Sequence, residues 1–195
     1  ADLNNDGWVD FITLDMLTKD ETIQKLSQGE DTEENLQQKL NYGFERQFSR
    51  NCFQLNNGNG TFSEIAQLSG ISATDWSWGV LLADYDNDGY SDILVTAYPR
   101  NFLFRNLGGS GKFEDVSERI GLAKTHSTGF ATSAAFGDID NDGRLDLYVC
   151  YYSPWTPETD KPCKNAQGTR DYCTPEIYDA DTHRLFRNTP RGFVD

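Results

Sequence analysis

The apolar residues of this chain fall into short β-rich runs separated by stretches of aspartate, asparagine and glycine. Three runs, residues 11–14 (FITL), 93–96 (ILVT) and 147–150 (LYVC), each follow at once on a nine-residue polar stretch. Downstream of each lies a second run, residues 53–56, 103–106 and 185–188, which leads through a glycine-bearing turn to Phe62, Phe113 or Phe193. Runs of this length bounded by glycine and asparagine read as strands, and the turns join them as hairpins. Residues 76–83 and 130–137 predict one more strand ahead of the second and third polar stretches.

The polar stretches are three copies of one pattern: Asp2, Asn4, Asp6, Gly7 and Asp10; Asp84, Asp86, Asp88, Gly89 and Asp92; Asp138, Asp140, Asp142, Gly143 and Asp146. From the ninth-position aspartate to the asparagine of the downstream strand the chain takes 46, 14 and 42 residues (Asp10 to Asn56, Asp92 to Asn106, Asp146 to Asn188). Copies one and three therefore carry insertions of 32 and 28 residues at the same place, and the repeat unit is 54 residues, Asp84 to Asp138. A unit of this size with four short strands predicts an all-β fold of four-stranded antiparallel propeller blades. The expected boundaries are blade 1 at about 1–72 with a helical insertion at about 15–48, blade 2 at about 73–126, and blade 3 at about 127–195 with an insertion at about 151–182. Up-and-down strand order puts the acidic loops on one face and both insertions on the opposite face. Residues 18–21 and 31–34 read as helix capping boxes, with Ile23, Leu26, Leu36 and Leu40 as a thin apolar stripe.

Carboxylates at positions 1, 3, 5 and 9, with a glycine at 6 and the backbone carbonyl of position 7, suit a hard cation that wants six to eight oxygens. That requirement is calcium's; the stricter octahedron of magnesium fits less well. The predicted ligands are Asp2, Asn4, Asp6, Trp8 and Asp10; Asp84, Asp86, Asp88, Tyr90 and Asp92; and Asp138, Asp140, Asp142, Arg144 and Asp146, giving about three Ca2+ sites. Asn4, standing where the other copies have aspartate, makes the first site the weakest expected. An EF-hand is excluded, because position 12 is Thr13, Val95 or Val149 instead of glutamate and a strand follows each loop. Plain Asp/Asn/Gly turns favour the same residues, but three copies in register favour the metal.

Charge sharpens this picture. The chain has 17 basic and 31 acidic residues, a net charge of -14, and 11 of the acids lie in the three loops. Such a balance, with no basic stripe, argues against nucleic acid as a partner, and no run is long and apolar enough to span a bilayer. Aromatics at 13% argue for a folded chain. Cys163 and Cys173, in a loop rich in proline and glycine, predict a disulfide and with it an oxidising compartment: extracellular or cell surface, with the periplasm as alternative. Cys52 and Cys150 read as buried small hydrophobes, and Trp76 and Trp78 as packing residues. Tyr151, Tyr152, Trp155, Tyr172 and Tyr178 in the third insertion are candidate contacts for a protein or glycan ligand, the alternative being packing over a long loop. Catalytic signals are poor. Residues 108–112 lack the Ser/Thr a phosphate loop needs after its lysine, neither His126 nor His183 belongs to a metalloprotease motif, and no nucleophile elbow is present.

On these residues the chain resembles the FG-GAP/VCBS repeat proteins, whose integrin α-chain relatives form seven-bladed propellers with calcium loops of this kind. Phe136, Gly137 and Asp138, followed by Asp140, Asp142, Gly143 and Asp146, carry the match best. Residues 49–98, including Arg50, Asn51 and residues 74–78 (TDWSW), resemble secreted VCBS-repeat proteins. Residues 101–188, with Tyr172, Cys173 and Pro175, resemble the ASPIC/UnbV, cartilage acidic protein-like group, in which glycine is usual at the place of Thr174. The resemblance implies part of a calcium-stabilised, secreted propeller that serves adhesion or ligand binding, its protein or glycan partner lying on the face opposite the calcium loops. Three units are fewer than a ring needs, so a longer chain or neighbouring subunits are expected to complete it. Two other readings stay open: a calcium-dependent, lyase-like polysaccharide enzyme using the loop aromatics and a base such as Arg170 or Lys164, and a self-assembling extracellular subunit.

Overall fold

Three antiparallel sheets follow one another along the chain in the computed structural model, which describes residues 1–20, 33–44, 49–122, 129–171 and 173–195. The first comprises β1 (Phe11–Thr13), β2 (Cys52–Asn56) and β3 (Phe62–Glu64). The second comprises β4 (Trp76–Ala83), β5 (Asp92–Tyr98), β6 (Phe102–Asn106) and β7 (Phe113–Asp115), and the third β8 (Ala131–Gly137), β9 (Asp146–Tyr151), β10 (Arg184–Thr189) and β11 (Gly192–Val194). Every sheet is a meander in which neighbours in space are neighbours in sequence, so the fold is all-β and built of propeller blades. The first sheet's three strands correspond to the last three of the other two.

Helix is sparse. α1 (Glu33–Asn41) lies in the first insertion with Leu36 and Leu40, one turn apart, half-buried, and α2 (Ala66–Ser69) closes on Gly70 in the left-handed conformation. The helix expected to start at residues 18–21, together with Ile23, Leu26, His126 and Tyr172, lies outside the described residues.

Packing explains why the middle repeat reads as nearly continuous apolar sequence. Ile93, Val95 and Ala97 of β5 pack into one cluster with Leu3, Phe53, Phe102 and Phe104, on the side of the first sheet. Leu94 and Leu103 turn the other way, into a cluster with Leu147, Val149 and Phe186 of the third. A strand covered on both faces favours apolar residues at successive positions, and each fully buried Leu, Ile or Phe contributes about 1.5–3 kcal/mol. β9 alternates instead: Leu147, Val149 and Tyr151 are buried while Tyr148 is exposed. β4 and β8 approach so closely that a Cβ on Gly79 would sit 3.0 Å from the Thr96 hydroxyl and 3.2 Å from the Thr132 carbonyl, which keeps glycine there.

The segment before β4 is fixed by a buried polar knot. Asn51 donates to the Ile71 carbonyl at 2.9 Å and to the Thr74 hydroxyl at 2.6 Å, and Thr74 shares a 2.6 Å hydrogen bond with Ser77. With these groups satisfied, the burial costs little. Cys52 and Cys150 are free and half-buried, more exposed than the small-hydrophobe reading expects, because each lies at a sheet face that is only partly covered.

Candidate functional site

The three acidic loops fold on one hydrogen-bond frame. In the first, Asp2 accepts the N–H of Asp6 at 3.1 Å and of Gly7 at 2.8 Å on its two carboxylate oxygens, and Asp6 accepts the N–H of Trp8 at 2.8 Å. In the second, Asp84 takes the N–H groups of Asp88 and Gly89 at 3.0 and 2.9 Å, and Asp88 that of Tyr90 at 3.0 Å. The third repeats it, with Asp142 and Gly143 donating to Asp138 at 3.1 and 2.9 Å and Arg144 to Asp142 at 2.9 Å. The glycines have φ of 85° to 91°, a region open to residues without a Cβ, which is why position 6 is glycine in every copy.

The ninth-position aspartates play a different part. Asp10, Asp92 and Asp146 are each 1% exposed. One oxygen of each accepts the N–H of loop position 2 (Leu3 at 2.8 Å, Tyr85 at 3.0 Å, Ile139 at 3.1 Å), the other the N–H of the third-strand asparagine (Asn56 at 2.9 Å, Asn106 and Asn188 at 2.8 Å). Each therefore ties its loop to its sheet. Burial pushes Asp92 up to about 7 against the pull of the Asn106 and Tyr85 N–H groups, with Asp86 and Asp88 adding repulsion. A divalent ion in the loop would supply the missing positive charge.

Two residue sets with no assigned role in the sequence reading join the loops to one another. Asn5 and Asn87, at loop position 4 with φ of 57° and 58°, donate to the carbonyls of Gly89 and Gly143 in the following loop, both at 2.9 Å. In the reverse direction Asn106 donates to the Leu3 carbonyl at 2.7 Å and Asn188 to the Tyr85 carbonyl at 3.3 Å, each in the preceding loop. Asparagine tolerates left-handed backbone better than other residues with a Cβ, and its recurrence at position 4 in all three copies was the available signal.

The loops differ in how they meet a cation. Carboxylate oxygens of Asp84, Asp86 and Asp88, and of Asp138, Asp140 and Asp146, lie within 4.8 Å of one another, twice the roughly 2.4 Å at which calcium sits from its ligands. These groups fit a divalent ion. In the first loop Asn4 turns its amide to Asp6 at 2.9 Å, and among the described residues no such acidic group forms there. Arginine side chains also lean on the two richer loops: Arg105 pairs with Asp86 at 2.5 Å and Asp88 at 3.0 Å, Arg187 with Asp140 at 2.5 Å, and Arg144 with Asp142. The first repeat has Leu55 where the others have Arg105 and Arg187.

At the other end of the strands the third insertion folds around Asp160. It accepts the Trp155 indole N–H at 3.2 Å, an Arg170 guanidinium N–H at 2.6 Å and the Tyr178 hydroxyl at 3.3 Å. The indole bond first, then the charge of Arg170, holds this carboxyl below the usual range. A disulfide joins Cys163 and Cys173. Tyr152, Trp155 and Tyr178 line one cavity, and Tyr172 lies outside the described residues. Tyr151 faces inward from the end of β9, its hydroxyl taking the Asn101 amide at 3.1 Å, and is part of the core. Trp76 packs on Tyr98, Phe130 and Trp155, yet stays 46% exposed and lines the same cavity.

Comparison with known proteins adds two findings. A family model described as FG-GAP-like repeat matches residues 46–95 and 84–149. Cartilage acidic protein 1 of Xenopus tropicalis is 31% identical over 107 residues, and the match takes in 51% of this chain but only 16% of that relative's length. No described helix is long and apolar enough to cross a membrane.

Proposed function

The chain belongs to the FG-GAP-like repeat family, and from that premise we propose that it is a calcium-binding, extracellular propeller module for adhesion or ligand binding, with calcium in a structural role. The observation that carries the reading is the threefold recurrence of one loop frame, two copies of which converge three carboxylates within 4.8 Å. Asp84, Asp86, Asp88, Asp92 and the Tyr90 carbonyl would hold one ion; Asp138, Asp140, Asp142, Asp146 and the Arg144 carbonyl a second; Asp2, Asn4, Asp6, Asp10 and the Trp8 carbonyl a third and weaker one. The ion would supply positive charge to crowded carboxylates. Arg105 and Arg187 also bring positive charge to these carboxylates. The disulfide supports an oxidising location. Further repeats, from a longer chain or neighbouring subunits, would continue the ring, and Asn141 holds the same left-handed conformation (φ 58°) as the two asparagines that reach a following loop. The ligand would sit on the insertion face.

Calcium titration by calorimetry, paired with melts in calcium and in chelator, tests the reading. The expected result is about three ions bound per chain, a melt lowered by chelator, and loss of one ion in Asp140→Ala. An unchanged melt without heat of binding would reduce the loops to acidic turns.

A further inference from the structure

The cavity at the insertion end has a floor and a rim of different chemistry. Its floor is aromatic: Phe130 lies 5.8 Å from Trp76, 5.6 Å from Trp155 and 4.6 Å from Tyr98, ring centre to ring centre. Trp76 and Phe130 are stacked, as are Phe130 and Trp155, and Trp76 keeps 46% of its surface exposed beside this cluster. The rim is polar and belongs to the third insertion, with Tyr152, Asp160, Lys161, Arg170 and Asp171 around the opening. Its volume is about 590 Å³, inside the range of small-ligand sites, and it is open to solvent.

Three properties narrow the ligand. The rim is built in advance: Asp160 gathers Trp155, Arg170 and Tyr178, Tyr178 accepts the Lys161 N–H at 2.9 Å, and the disulfide closes the loop behind them. A preformed site spares the ligand the cost of ordering it. The lining also carries two carboxylates, Asp160 and Asp171, against two cations, Lys161 and Arg170, so it favours neither sign of charge. Finally, an aromatic lining mixed with hydrogen-bonding groups complements a molecule with an apolar face and a hydroxylated edge. A pyranose, with its axial C–H face and equatorial hydroxyls, has that shape.

We propose that this cavity binds a neutral saccharide, stacked on Trp76 and held at its edge by Tyr152 and Arg170; the inference rests on reading the insertion face as the ligand face. Binding needs no covalent step, and Asp160 is a positioning residue because its oxygens are occupied by the rim itself.

The test screens the full chain, in calcium, on an array of neutral gluco-, manno-, xylo- and galacto-oligosaccharides beside sulfated and uronate ones, and repeats it with Trp76→Ala, Tyr152→Phe and, on the exposed acidic face, Ile139→Ser. Melting temperatures confirm that each variant is folded. Neutral glycans should bind, with intrinsic tryptophan fluorescence changing on titration. Affinity should fall about tenfold or more in Trp76→Ala and a few-fold in Tyr152→Phe, with Ile139→Ser retaining binding. Binding to charged glycans alone, or to none, overturns the saccharide and leaves the calcium reading to its own titration. Neutral-glycan binding that survives Trp76→Ala but is lost in a folded Ile139→Ser overturns the insertion face as the ligand face.

Discussion

The two ends of the strands are held by opposite means. At the acidic end, three loops use the same donors and acceptors at the same positions, from the Asp2, Asp84 and Asp138 turns to the buried Asp10, Asp92 and Asp146. At the insertion end one bond recurs, the N–H of Asp15, Ala97 and Tyr151 given to the side chains of Asn51, Asn101 and His183, but the insertions themselves differ: among the described residues the first contributes α1 and a Lys19–Asp115 pair, the second repeat has a short connection, and the third has the Asp160 hub and the disulfide. Repetition marks the parts that every repeat needs in order to stand beside its neighbour. Singular structure marks what distinguishes this chain from another of its family, and there Trp76 and Tyr152 stay exposed beside one cavity.

That contrast can be broken at either end. The largest effect is expected from Asp92→Ala, which orphans the N–H groups of Tyr85 and Asn106 in a buried setting. It should cost roughly 3–5 kcal/mol of global stability, read by urea unfolding in chelator so that cation binding does not enter. A loss under about 1 kcal/mol would mean that water reaches the loop and the aspartate is not its anchor. Replacing Cys163 and Cys173 by serine should cost less, about 2–3 kcal/mol by the loop-entropy model, and should act locally. Hydrogen exchange would quicken around residues 160–178 while the strands of the three sheets keep their protection. Uniform loosening would contradict the separation of the two ends.

The smallest effect is a pH dependence at the insertion end. Burial alone would raise Asp115, but the Ser117 hydroxyl and N–H, followed by the Arg100 guanidinium at 3.1 Å, outweigh it and hold this carboxyl below its usual value. Because the folded value is depressed, the stabilisation is present above the ordinary carboxylate range of about pH 4 and is lost as pH falls through the folded value. Melts of wild type and Asp115→Asn should differ by about 1 kcal/mol at pH 6 and converge toward pH 2. A constant gap across that range would assign the effect to shape.

Most of the scaffold was legible in the residues themselves. Glycine at position 6, aspartate at 9 and the strand that follows are local chemistry, and the span expected for the strand at residues 76–83 coincides with β4. What escaped was relational. Tyr151 and Tyr152 look equivalent as exposed aromatics, yet alternation along β9 turns one into the core and the other to the cavity. Trp76 and Trp78 read as packing residues and both pack on Phe130, but the strand end where they lie faces the insertion, and both stay about half exposed. Asn5 and Asn87 read as turn filler until the neighbouring loop is in place to receive them.

Those asparagines carry a consequence for how such a protein grows. Each junction between sheets is closed by two hydrogen bonds of opposite direction, one offered forward by position 4 and one offered back by the third-strand asparagine, and both end on backbone carbonyls. A carbonyl is present whatever side chain the neighbour has. Any repeat with this pattern can therefore join its neighbour at the acidic end by the same two bonds, whereas at the far end the fit to the adjacent sheet is made by particular side chains, Lys19 on Asp115 and Trp155 on Trp76 and Tyr98.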